Sequence, residues 1–97
     1  MIVQRISVKV KTGFRDAVLE SLKASRAELE DPSSMRILTT NTGAPHHTVV
    51  YELTDESVEG IEKGWEEWMS RPEYQSESEK WMQIVDDWSD VYLNIEE

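Results

Sequence analysis

The sequence predicts an α+β fold whose elements follow the order βαββαβ. Three observations predict it: two-residue alternation of apolar side chains near both ends of the chain, two longer tracts with helical spacing, and a turn marked by Gly43 and Pro45 between two β-rich runs.

Between residues 2 and 10, Ile2, Ile6, Val8 and Val10 fall on alternate positions with Arg5, Ser7 and Lys9 between them, as in a strand with one buried face. Thr12 and Gly13 end that strand. Residues 14–30 space Phe14, Val18, Leu22 and Leu29 at intervals of four, four and seven, the pattern of an amphipathic helix, and the run Asp31, Pro32, Ser33, Ser34 breaks it. Residues 35–42 read as a second strand, 41–45 as a turn and 46–53 as a third strand, and so short a connection makes an antiparallel hairpin. Thr54 to Ser57 offer capping side chains for a helix carrying Val58, Ile61, Trp65 and Trp68 on one side. Pro72 interrupts it, and helical spacing resumes over 73–86, with Tyr74, Trp81, Ile84, Val85 and finally Trp88 toward one side. Val91, Leu93 and Ile95 alternate with Tyr92, Asn94 and Glu96 as the last strand. This order is the split βαβ, or ferredoxin-like, plan: a four-stranded antiparallel sheet with two helices on one face, residues 1–97 forming a single domain.

With 20 acidic against 10 basic residues the net charge is −10, a field that repels phosphate backbones and anionic lipid, so neither nucleic acid nor membrane is an expected partner. The absence of Cys removes disulfides, thiolate metal sites and Cys nucleophiles. The first residues lack the charged head and apolar body of a signal peptide, and a cytoplasmic location is expected. No phosphate-binding glycine loop and no G-x-S-x-G elbow occurs.

Helices cover one face of such a sheet. Alternation directs Ile2, Ile6, Val8, Val10, Ile37, Val49, Tyr51, Leu53, Val91, Leu93 and Ile95 toward them, and places Arg5, Ser7, Lys9, Arg36, Thr48, Glu52, Tyr92 and Asn94 on the other face. A domain this small has little core of its own, and that mixed face is expected to pack against its counterpart in a homodimer, with Arg5 and Arg36 pairing with carboxylates such as Glu52 across the interface.

The opening strand, turn and helix Gln4 to Phe14, the third strand running into Thr54 and Asp55, and the tract from Trp65 to Tyr74 resemble the dimeric α/β-barrel superfamily, which includes NIPSNAP-like proteins and antibiotic biosynthesis monooxygenases. The resemblance implies two sheets paired into a barrel and a cleft between sheet and helices for a flat organic molecule, in some members with oxygenation that needs no cofactor. Haem-degrading relatives use an Asn on the first strand, where this chain has Ile6, and a His after the second helix, whereas no His follows His47. Quinol-oxidising relatives carry Asn, Trp and Tyr around the second helix; Trp68 and Tyr74 match two in type, and Gly64 stands in place of the Asn.

The candidate cleft residues are Trp65, Trp68, Tyr74, His47 and Tyr51, facing a small aromatic ligand, with no cofactor. The same aromatic residues also suit a core, since small domains rely on such residues for buried area. His46 and His47, adjacent on a strand, point to opposite faces and do not chelate one metal ion. Two functions stay open: a small-molecule cleft, including cofactor-independent monooxygenation of a phenolic or quinol-like compound, and a non-catalytic dimeric binding or accessory module.

Overall fold

Alternation in the first strand organises the whole sheet. The computed structural model describes residues 1–40, 42 and 47–96. There β1 (Ile2–Val10) lies between β3 (Thr48–Asp55) and β4 (Val85–Asn94), both antiparallel to it, while β2 (Met35–Thr39) flanks β3, giving the ferredoxin-like order β2-β3-β1-β4. Three α-helices accompany the sheet among the described residues: α1 (Arg15–Ala27), α2 (Val58–Met69) and α3 (Tyr74–Ile84). The expected turn at 41–45 and His46 fall largely outside the described residues.

Local chemistry sets the helix ends. Gly13 takes the left-handed conformation, φ 88°, that turns β1 into α1. Ser57 caps α2 by accepting the Gly60 N–H at 3.1 Å, and the Asp55 carboxylate accepts the Ser57 N–H at 3.2 Å. A Cβ at position 60 would overlap that carboxylate, so any side chain there would displace the Asp55 side chain from the cap. Pro72 separates α2 from α3, as the spacing predicts. Even residues of β1 and odd residues of β3 face the helices and form the core with Val18, Leu22, Met35 and Val85. The fully buried Val8, Val10, Val18 and Val49 each contribute about 1.5–3 kcal/mol through burial.

The last strand corrects the sequence reading in two respects. It begins at Val85, inside the tract read as helical, so Trp88 is a strand residue; pairing with β1 from Val10↔Val85 to Ile2↔Asn94 outweighs helical spacing over those few residues. The register also shifts between Lys9↔Asp87 and Val10↔Val85, leaving Asp86 as a bulge. One extra residue exchanges the faces of everything beyond it. Trp88, Asp90, Tyr92 and Asn94 therefore oppose Val8, Ile6, Gln4 and Ile2 on the helix side, while Ser89, Val91 and Leu93 oppose Ser7, Arg5 and Val3 on the open side. Val91 and Leu93 are not core residues, and Tyr92 and Asn94 are not on the open face.

Arg5, Ser7, Lys9, Arg36, Thr48 and Glu52 do share the open face. Glu52, only 3% exposed, accepts from Arg5 Nε at 2.8 Å and from Arg36 Nε at 3.0 Å within the same chain, rather than across an interface as expected. Strand register explains it: Glu52 is directly opposite both arginines. Burial pushes the Glu52 carboxyl up, but the hydrogen bonds and charges of Arg36 and Arg5 outweigh it and hold the group below its ordinary value. A carboxyl held low stabilises the fold above its unfolded pKa, and that contribution is lost as pH falls through the folded value. Accordingly, Glu52→Gln is expected to lose less melting temperature than the wild type between about pH 5 and pH 3, measured by circular dichroism.

Candidate functional site

Gln4 interrupts the apolar series of β1 at a helix-facing position and is 7% exposed. A buried amide costs about 1–3 kcal/mol wherever a polar end goes unpaired. Here both ends are satisfied: Nε2 donates to Asp90 Oδ2 at 3.0 Å, and Oε1 accepts from Trp65 Nε1 at 2.7 Å. An indole N–H only donates and a carboxylate only accepts, so the amide has one orientation and the chain of bonds ties α2, β1 and β4 together.

Tyr51 and Asp90 both oppose Ile6, from β3 and β4 respectively, and so lie on the same helix-side face. The Tyr51 ring packs edge-on to Trp81, with centroids 6.4 Å apart, and Trp81 Nε1 donates to Ser21 Oγ at 2.9 Å. Burial first, and then the negative charge of Asp90, pushes the Tyr51 phenol far above its ordinary value. The Tyr51 hydroxyl has no hydrogen-bond partner among the described residues. Tyr92, one step along the same face from Asp90, is raised by desolvation and then by the charges of Glu62 and Asp90. Trp88, on the other side of Asp90, is 63% exposed. The outer strand thus presents an acid between two aromatic side chains, each about 6.8 Å along the strand from it.

The expected cleft residues divide among three places. Trp65 and Tyr51 belong to this helix-side face. Trp68 and Tyr74 meet at the break between α2 and α3, rings perpendicular and 6.2 Å apart, with the Arg71 guanidinium 5.8 Å from the Trp68 ring centre and 2.9 Å from Glu28. Trp68 also borders a hollow of about 120 Å³ with Ser21, Glu28, Glu73 and Glu77. His47 is exposed just before β3, and its carbonyl accepts the Val10 N–H at 2.7 Å.

Gln4 and Asp90 were not singled out by sequence reasoning. A signal for Gln4 was present, since a polar residue at an inward position of a strand requires partners; Asp90 depended on the bulge. Among the described residues no group of three His, Cys, Asp or Glu side chains is placed to hold a metal ion, and no helix is long and apolar enough to cross a membrane.

No family model and no curated protein matches this sequence. Solved structures do. An uncharacterized NIPSNAP domain protein from Burkholderia xenovorans matches with a TM-score of 0.76 at 14% identity, covering 99% of this chain and 95% of its own. A NIPSNAP family protein from Agrobacterium tumefaciens gives 0.78 at 13% identity, covering 95% and 82%. A dimeric protein of unknown function and ferredoxin-like fold from Bacteroides fragilis gives 0.54 at 14% identity, covering 97% and 96%. At these identities the likeness is one of architecture: the chain has the ferredoxin-like fold seen in NIPSNAP-domain proteins.

Proposed function

We propose that this protein is a cytoplasmic homodimer of the α/β-barrel type that binds a small, flat, phenolic or quinol-like molecule on the helix side of its sheet. The observation that carries this reading is the Trp65, Gln4, Asp90 chain. It places a nine-tenths buried amide where an apolar residue would serve the core, and it leaves Asp90 Oδ1 free of partners among the described residues, on the same face of the sheet as Tyr51. A phenolic O–H donates naturally to such a carboxylate, and Trp88 and Tyr92 offer ring surface on either side.

In its catalytic form the activity is cofactor-independent monooxygenation. A phenol and dioxygen give a quinone and water with no external reductant, and Asp90 is the group that accepts the phenolic proton. A second reading, a non-catalytic dimeric module, draws support from size. Two hollows among the described residues measure about 120 and 190 Å³, whereas ligand pockets usually span about 300–1,000 Å³.

Dimerisation is supported by the open face. Val3, Leu38, Val50, Val91 and Leu93 surround the internally neutralised Arg5, Glu52 and Arg36 group, and Leu38, Val91 and Leu93 are each more than a third exposed. Apolar surface of this kind, around an ion pair already satisfied within the chain, suits a symmetric copy of itself. Native mass spectrometry is expected to show a dimer that Leu93→Glu converts to monomer with its circular dichroism retained; a wild-type monomer at micromolar concentration contradicts the assembly. Oxygen uptake above background with hydroquinones, reduced at least about tenfold by Asp90→Asn, supports the catalytic form. Ligand binding without oxygen uptake supports the module.

A further inference from the structure

The helix-side face of β4 carries Trp88, Asp90 and Tyr92 at alternate positions, opposite Val8, Ile6 and Gln4. Asp90 has no cationic partner: the Gln4 amide alone donates to it among the described residues, and the ion pairs there involve Glu52, Glu28 and Glu77 instead. The charges that act on the two phenols of this face, Asp90 on Tyr51 and Asp90 with Glu62 on Tyr92, are all negative. Arg5 and Arg36 are bound to Glu52 on the opposite face of the sheet. Trp88, opposite the buried Val8, is 63% exposed.

A carboxylate flanked along its strand by aromatic side chains and backed by a buried amide is the chemistry that recognises an organic cation. The carboxylate takes the ammonium, and ring faces attract the charge through their quadrupoles. We infer that the Trp88, Asp90 and Tyr92 face of β4, with Gln4 and Trp65 behind it, selects an aromatic molecule that carries a protonated amine. The inference rests on the reading that this face takes the ligand, and it adds the charge class. Two nine-tenths buried polar side chains stand on the same face as Asp90. Gln4 holds the carboxylate in place, and Tyr51 retains a hydroxyl without a partner among the described residues on the same face.

Three probes of matched size separate the possibilities: tyramine, para-ethylphenol and para-hydroxyphenylpropionate present one phenol ring with a positive, neutral or negative substituent at neutral pH. In isothermal titration calorimetry at physiological salt, tyramine is expected to bind about tenfold more tightly than para-ethylphenol, and the propionate to bind most weakly. Asp90→Asn preserves an oxygen for the Gln4 amide and is expected to bring tyramine to within about twofold of para-ethylphenol. Trp88→Ala, at an exposed position, is expected to weaken tyramine several-fold with the melting temperature unchanged. Asp16→Asn, on α1, serves as the charge control and is expected to have no effect. Equal or tighter binding of para-ethylphenol overturns the inference and leaves the phenolic site intact. No binding by any of the three overturns that reading, and this inference with it. An equal loss of tyramine affinity in Asp16→Asn and Asp90→Asn identifies general attraction to an acidic surface and also overturns it.

Discussion

The pairing of β4 with β1 is the constraint on which both surfaces of this protein depend. β1 lies in the middle of the sheet, so its alternation is fixed by burial: even positions meet the helices and odd positions lie on the open side. β4 inherits its faces from β1 through register alone. The bulge at Asp86 sets that register, directing Val85 into the core before it and Asp90 to the helix side after it. Without the extra residue, Val91 and Leu93 would turn to the helices and Asp90 would leave Gln4.

Two consequences follow on opposite sides of the sheet. On the helix side a buried amide acquires both of its partners, and the edge strand presents an acid among aromatic side chains. On the open side valine and leucine join an ion-paired centre in which Glu52 is already neutralised by its own chain. An internally satisfied charge group costs less to bury against a second copy than unpaired charges would, because no side chain has to find a new partner.

Much of the fold was legible in the sequence. Alternation from Ile6 to Val10, the spacing of Val18 and Leu22, the Ser57 cap and the break at Pro72 each correspond to an element or a boundary in the structure. The faces of β4 were not legible, because a bulge has no composition of its own and a single inserted residue reverses an otherwise correct alternation. Val85 and Trp88 fit a helical spacing that cross-strand pairing overrode. The candidate cleft was half legible for the same reason. Trp65 and Tyr51 follow from periodicity, but their relation to Asp90 depends on the register, and Trp68, packed edge-on to Tyr74, satisfies a similar pattern while lining the groove beside α1.

The register can be tested by covalent trapping, since the chain has no cysteine of its own. Directly opposed residues of an antiparallel pair bring their Cβ atoms to about 4.5–5.5 Å, near the separation that a disulfide bridges after slight adjustment. Ser7 is opposed to Ser89. Oxidation of the Ser7→Cys, Ser89→Cys double variant should give an intramolecular disulfide, read by mass spectrometry as the loss of two hydrogens, whereas Ser7→Cys with Asp90→Cys should leave both thiols free. The reverse result, a bridge only with position 90, would place Asp90 on the open face and contradict the account of both surfaces.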